Sequence, residues 1–391
     1  MHSNSILCGK SGRLPLLIVA AAFAMLALAA QASAQKIIAY DVPGAGTGAW
    51  QGTIGIGINS NGAITGVYVD ANNAAHGFLR TPEGKFTIFD APGVGTGLGP
   101  CPIYYWDYGF QGTYPFGMNR EGVIPGYFLD ANNVYHGFLR RPDGKITTFE
   151  VPGAGTGPGQ GTVFGDINPS GTVAGYYMDA ASVSHGFLRS PDGRFTKFDV
   201  PDAGKAGGQG TFPQFFSCLD PDGTVTGFYV DRNNAYHSFV RHPEGRFTTF
   251  EAPNAAMDAG LGTISYSMNP AGETVGPYFD ASGVAHGFLR TREGSFTTIN
   301  VPGAGIGAGQ GTFPEGNNDW GQIVGQYVDA NGVNHGFVRE LDGKLITFDV
   351  PGEGTGAGQG TVPLTNNSEG MVNGFYLDAN NSYHSFVRLP W

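Results

Sequence analysis

The sequence predicts an all-β fold built from seven similar units, and three observations carry that prediction. A motif of Asp, His six residues later and Arg four after that recurs seven times: Asp70/His76/Arg80, Asp130/His136/Arg140, Asp179/His185/Arg189, Asp231/His237/Arg241, Asp280/His286/Arg290, Asp329/His335/Arg339 and Asp378/His384/Arg388. Successive histidines are separated by 60, 49, 52, 49, 49 and 49 residues, so the fold is read from one unit and then multiplied. Within each unit, short runs rich in Val, Phe, Tyr and Thr alternate with turn clusters, and no sustained helical periodicity follows residue 34.

The third unit shows the pattern most plainly. Its runs are Gln160–Asn168, Thr172–Asp179, His185–Arg189 and Arg194–Val200. Pro169-Ser-Gly171 and Pro191-Asp-Gly193 separate two pairs of them, with proline presetting φ and glycine permitting tight turns. Four antiparallel strands per unit, seven times over, predict a seven-bladed β-propeller. The last unit stops at Trp391 without a fourth strand, whereas the opening run Lys36-Ile-Ile-Ala-Tyr-Asp-Val-Pro-Gly44 matches the fourth strand Lys85–Gly93. The N-terminal strand is therefore expected to complete the seventh blade and close the ring. A linear array would need caps instead.

The run Ile-Asn-x-x-Gly-x-Val-x-Gly-x-Tyr followed by His-Gly-Phe resembles the HAF-type extracellular repeats, named for a His-Ala-Phe signature. The resemblance covers essentially all of the chain after residue 34. Five units read His-Gly-Phe, and two, at His237 and His384, read His-Ser-Phe. It implies export and propeller shape, and no particular chemistry.

Residues 1–34 read as a cleaved signal peptide, leaving 35–391 as a single domain. Lys10 and Arg13 form a basic start, Leu16–Ala30 is an apolar stretch, and Ala32-Ser-Ala34 fits the small-x-small cleavage rule. Export to the periplasm or the medium is expected, with no membrane insertion. Removing Lys10 and Arg13 from the 21 basic residues leaves 19 against 32 acidic, a formal charge of −13. With no basic cluster, nucleic acid and anionic lipid are not expected partners. Cys101 and Cys218 lie in insertions two units apart, so burial rather than a bridge is expected to supply most of the stability.

In each unit Asp closes the second strand and His opens the third. These pairs are read as a repeated structural network, with Asp accepting from imidazole and His reaching a backbone group. Seven identical sites are a poor model for one active centre. The alternative is calcium: Asp70-Ala-Asn-Asn73, Asp130-Ala-Asn-Asn133 and Asp378-Ala-Asn-Asn381 offer oxygen ligands. They lack the EF-hand pattern, and the third unit reads Asp179-Ala-Ala-Ser182, so Asn is taken as a turn residue and no metal or other cofactor is assigned. Each Arg is expected to meet a carboxylate or turn carbonyl at the far end of its strand. The Val-Pro-Gly-Ala-Gly-Thr-Gly loops lack the Lys and following helix of a phosphate loop.

In a symmetric scaffold, function is sought where one unit departs from the rest. The largest departure is the insertion Pro100–Phe110, which places Tyr104, Tyr105, Trp106 and Tyr108 beside Asp107. Aromatic faces with a carboxylate suit a glycan or a peptide, and these five residues are the candidate ligand-binding set. The fourth unit also departs, in Phe212–Cys218, in Asp220 where Asn is usual, and in Asp202-Ala-Gly-Lys205. Trp50 and Trp320 are further candidates for an exposed rim. No nucleophile elbow or zinc-spaced cluster is present. The sequence therefore favours an exported binding or surface-interaction module over its two alternatives, an extracellular carbohydrate-active hydrolase or lyase and a structural envelope protein.

Overall fold

The computed structural model describes residues 36–97, 110–213 and 217–390, of which Ile37–Pro390 form one compact unit. These residues form 28 strands in repeating four-strand units. In the third unit the strands are Gly161–Ile167, Val173–Met178, Ser184–Arg189 and Phe195–Phe198, each antiparallel to the next. The second strand is almost wholly buried and the fourth is half exposed, so the layers run from a covered inner edge to a wet outer one. Residue type follows: Val-Ala-Gly-Tyr-Tyr-Met is apolar on both faces, whereas Phe-Thr-Lys-Phe alternates.

Neighbouring units meet at one recurring point. The first strand of each unit pairs in parallel with the third strand of the unit before it, through a single residue. The partners are Gly112 with Ala75, Gly161 with Tyr135, Gly210 with Ser184, Gly262 with Tyr236, Gly311 with Ala285 and Gly360 with Asn334. The seventh pairing of this kind joins Gly52 to Tyr383. These glycines have φ between +107° and +158°, and a Cβ on any of them would lie 1.9–2.2 Å from the partner's carbonyl oxygen. No other residue fits there. The following Thr is buried, and its Oγ1 accepts the backbone N–H of a residue at the end of the preceding fourth strand. Examples are Val151 to Thr162 at 3.1 Å and Val200 to Thr211 at 3.0 Å.

Side chains complete the same junctions. Clusters such as Val151, Phe164, Phe187 and Tyr177, or Val200, Val225, Phe239 and Phe198, each span two successive units. One larger cluster, including Ile56, Phe116, Tyr127, Val163, Tyr266 and Leu364, draws on strands from six of the units. In six units the Arg closing the third strand stacks over an aromatic ring of the preceding unit's fourth strand, as Arg189 does over Phe149 at 4.5 Å and Arg290 over Phe250 at 4.5 Å; in the sixth, that of Arg339, the corresponding residue is Ile299. Several also donate to the adjacent turn carbonyl, as Arg290 does to Thr291 O at 3.2 Å. The carbonyl was expected; the ring was not.

The N-terminal strand Ile37–Tyr40 pairs antiparallel with Tyr383–Arg388, and Val42, Ile64, Phe78 and Val387 share one cluster. Polar groups mark this junction. Tyr40 Oη donates to Asn373 Oδ1 at 3.3 Å, and Ser385 Oγ accepts Gly55 N–H at 2.6 Å. Among the described residues no helix is long and apolar enough to cross a membrane.

Two glycines of one loop separate steric exclusion from backbone strain. Gly159 has φ +76° with nothing near its Cβ position, whereas Gly161 has φ +119° and a carbonyl 2.0 Å away. Gly159→Ala is expected to cost about 1 kcal/mol and Gly161→Ala at least ~3 kcal/mol, the latter by adding a backbone clash to the strain. Equilibrium urea unfolding checks this; equal losses would remove the steric argument.

Candidate functional site

Strand directions sort the loops onto two rims. First and third strands run away from what is here termed the histidine rim, and second and fourth strands run back to it. That rim therefore carries the Asp ending each second strand, the His opening each third and the acid after each fourth. It also carries the loop that crosses to the next first strand. The hairpins after first and third strands form the opposite, asparagine rim.

On the histidine rim every Asp of the motif makes the same turn. Its Oδ1 accepts the N–H groups two and four residues on, as Asp70 does from Asn72 at 2.8 Å and Ala74 at 2.9 Å, and as Asp231 does from Asn233 and Ala235 at the same distances. Asp130, Asp179, Asp280, Asp329 and Asp378 repeat the pattern. Partial burial would raise these carboxyls, but the backbone N–H groups aimed at them hold all seven below the usual value. Oxygens surrounded by N–H donors are poorly placed for calcium, and the Asn residues have other work. Asn73, Asn133, Asn234 and Asn381 take positive φ at the turn, and each accepts an amide N–H from a Gln of the neighbouring loop at 2.7–2.9 Å.

Each motif His lies flat on the aromatic ring of the facing second strand, at 4.7–5.1 Å between centroids: His76 on Tyr68, His136 on Phe128, His185 on Tyr177, His237 on Tyr229, His286 on Tyr278, His335 on Tyr327 and His384 on Tyr376. Its Nε2 faces the motif Asp at 3.3–3.8 Å. Its Nδ1 does not reach the backbone group expected from the sequence. It meets the side chain that follows the fourth strand, at 2.5–3.0 Å: Asp90, Glu150, Asp199, Glu251, Asn300, Asp349 and, for His384, Asp41. The signal was present, since an acid precedes Val-Pro or Ala-Pro in six of the seven loops. The hydrogen bond to that carboxylate raises His76, His136 and His384 above the ordinary imidazole value. At His237 burial is the largest influence and lowers the value, but the bond to Glu251 and the negative charges of Glu251 and Asp231 together outweigh it.

Tyr104, Tyr105, Trp106, Asp107 and Tyr108 lie outside the described residues, as does Cys101. The residues flanking that segment are held together on the histidine rim, where Gln111 N–H donates to Gly97 O at 2.9 Å. The same bond joins Gln160 to Gly157 in the uninterrupted third unit. Cys218 is a free, fully buried thiol. Trp50 is half-buried on the histidine rim against Tyr383, whereas Trp320 is 66% exposed on the asparagine rim.

Three further features were not read from the sequence. Two clefts of about 490 and 700 Å³ flank the Pro201–Lys205 loop on the histidine rim. A cavity of about 640 Å³ opens on the asparagine rim among Asn59, Asn119, Asn168, Asp220, Asn318 and Asn367, with Asp166 below. Burial pushes both Asp166 and Asp220 up to about 6. Asp166 is a strut, accepting N–H groups of Ile167 at 2.7 Å and Leu219 at 3.1 Å. Lastly, Glu353 stands where five other loops have Ala and one has Val, and its carboxylate lies within 4.8 Å of ligand atoms of His335 and Asp349. It is the one such three-residue group among the described residues. Each member already has a partner: His335 bonds Asp349 at 2.9 Å, and Thr361 bonds Glu353. Burial pushes Glu353 up to about 7.

In sequence, the chain matches no protein-family model and no curated protein. Solved structures resemble it in fold. The S511A mutant of puromycin hydrolase complexed with PGG superposes with a TM-score of 0.50 at 14% identity, over 83% of this chain and 50% of that one. The BP39L lectin from Burkholderia pseudomallei superposes with a TM-score of 0.50 at 10% identity, over 86% and 98%. The chain thus spans half the length of the hydrolase and matches nearly the whole lectin. At such identities the likeness is one of architecture: the repeating units are those of β-propeller structures.

The titrating groups on the rim set the pH dependence of stability. The raised histidines stabilise fully below the ordinary imidazole value, and that contribution is lost as pH rises through their higher folded values. The lowered aspartates stabilise above the ordinary carboxyl value and lose that as pH falls through their depressed ones. Thermal stability is therefore expected to peak between about pH 4 and 6.5 and to decline toward pH 8.5. His136→Gln flattens the alkaline limb if the network is responsible, and an unchanged limb would reject it. Glu353, raised instead of lowered, costs stability increasingly from the ordinary carboxyl value up through about 7. Glu353→Ala is expected to raise Tm at pH 8 and to leave it unchanged at pH 4.

Proposed function

We propose that this chain is an exported binding module: a seven-bladed ring closed by its N-terminal strand, with the histidine rim as its contact face and glycans as its ligand class. One observation carries the reading. All seven Asp–His pairs are engaged in holding turns and strand ends together, while the loops beside them carry the Pro100–Phe110 insertion and the departures at Asp202, Lys205 and Arg232, next to two clefts. A fixed frame that carries an inserted, aromatic-rich loop and clefts on an exposed rim suits a recognition surface. The pairing of Ile37–Tyr40 with the last unit supports closure, and the shared propeller architecture with a lectin is compatible with glycan binding. The HAF-type repeat reading and the cleaved export signal over residues 1–34 belong to the same proposal. Tyr104, Tyr105, Trp106, Asp107 and Tyr108, on a segment that leaves this rim at Gly97 and returns to it at Phe110, are the aromatic part of the proposed contact face.

A second reading, a carbohydrate-active enzyme, is favoured by Asp220, whose carboxyl is pushed up to about 6 at the mouth of the asparagine-rim cavity. An acid with that value can hold a proton near neutrality.

Screening the purified chain lacking residues 1–34 against a broad glycan panel separates these readings. Specific binding weakened about tenfold or more by Trp106→Ala, without turnover, is the expected result. Turnover abolished by Asp220→Asn would replace it with the enzyme reading. A blank panel from folded protein would reject both glycan readings and leave a protein ligand or a structural role.

A further inference from the structure

We infer that the cleft beside the fourth unit binds an anionic group, a carboxylate or a sulfate, carried on a sugar; the inference rests on the glycan-binding reading of the histidine rim and names its ligand class. The argument begins with three substitutions that fall in one place. At the fourth position of the crossing loop, five loops have Gly with φ of +89° to +99° and one has Asn254 at +70°. The remaining loop has Asp202, which lies outside the left-handed region, so its backbone takes a different course. At the seventh position of the same loop, four units have Thr, while this one has Lys205. After the motif Asp, six units have Ala and this one has Arg232. Asp202, Lys205 and Arg232 line a single cleft of about 700 Å³, together with Tyr229, Asn233 and His237.

The charge is as local as the substitutions. Lys205 and Arg232 are the only Lys or Arg among the described residues of the histidine-rim loops, a rim that presents an acid in every unit. Both are exposed, and neither forms an ion pair or hydrogen bond among the described residues. The loop is held in place on either side of Lys205. Gly204 N–H donates to Val230 O at 2.8 Å, Ala206 N–H to Gln209 Oε1 at 3.1 Å, and Gln209 in turn donates to Asn234 at 2.9 Å. Asp231 also lines this cleft, but its oxygens accept N–H groups of Asn233 and Ala235 and it makes no ion pair with either cation. A planar guanidinium and an ammonium lining one cleft suit a carboxylate or sulfate. The Asp202 carboxylate and Asn233 amide suit sugar hydroxyls, and the ring of Tyr229 lies in the same wall. The surrounding acids disfavour an extended polyanion, so the ligand is a sugar with one isolated anionic group.

The test is calorimetric titration of the folded chain with a glucuronate-terminated oligosaccharide, its glucose-terminated counterpart and inorganic sulfate. Binding of the acidic probe at least tenfold tighter than the neutral one, weakened by added salt, is expected. Lys205→Ala and Arg232→Ala should each cost about tenfold, with Tm unchanged because both side chains are exposed. Lys344→Ala on the opposite rim should change nothing. Equal affinity for both sugars would overturn the inference and leave the glycan reading standing. A preference for the acidic probe that survives both substitutions would overturn this cleft as the site. Sulfate binding that depends on Lys205 and Arg232, with no sugar bound, would keep the anion site and overturn the glycan reading. No binding of any probe would overturn both.

Discussion

The structure depends on a backbone-to-backbone contact that only glycine permits. Where each unit meets the one before it, the glycine Cα sits so close to a carbonyl that a Cβ would be about 2 Å from oxygen. That proximity delivers the next residue, Thr, to the end of the preceding fourth strand, where its hydroxyl accepts a buried N–H. A missed bond there would leave a buried donor unsatisfied, at about 1–3 kcal/mol. The same strand end bears the acid that receives the His Nδ1. Glycine, threonine, acid and histidine thus form one connected device, and each inter-unit cluster packs beneath it. Loss of the glycine would therefore disturb sterics, a buried hydrogen bond and the charged rim together.

This connectivity explains what the sequence could and could not reveal. The recurrence of Asp, His and Arg exposed the unit length, the four-strand pattern and the match between the first strand and the fourth strands, all of which depend on local composition and spacing. The partner of His76 is Asp90, fourteen residues away across a hairpin, and that of His384 is Asp41 at the other end of the chain. Such pairings need the register of the third and fourth strands, which periodicity alone does not supply. The stacking of Arg on the preceding unit's ring was hidden for the same reason. Gln51 and its counterparts looked like the start of a strand, yet they clamp the crossing loop to the neighbouring turn.

The junction that involves the N-terminal strand differs from the others in a physically meaningful way. It is formed by segments more than 330 residues apart, so the loop-closure entropy for bringing them together is the largest in the chain. Most units have Phe and Gly where this junction has Tyr40 and Ser385, and Asn373 stands beside them. A strand of four residues with two near-equivalent Ile could slip along its partner. The bond from Tyr40 to Asn373 exists in one register only, so a small polar cluster specifies what apolar packing alone would leave degenerate.

Why the crossing loops tolerate substitution at their seventh position follows from the same clamp. The Gln side chain fixes a loop N–H from inside and reaches the adjacent turn, which frees the outward seventh position from any structural duty. That position holds Thr in four units, Lys205, Met257 and Ile306 in three consecutive ones, and the last two remain 43% and 88% exposed. Apolar side chains on water gain nothing for the fold, and a charged one there has no partner to stabilise. Substitutions that neither pack nor pair are invisible to stability, so the three successive departures from Thr are free to answer to whatever meets the rim. The frame is held by groups turned inward, and the outward side chains of these loops are ones that the frame does not need.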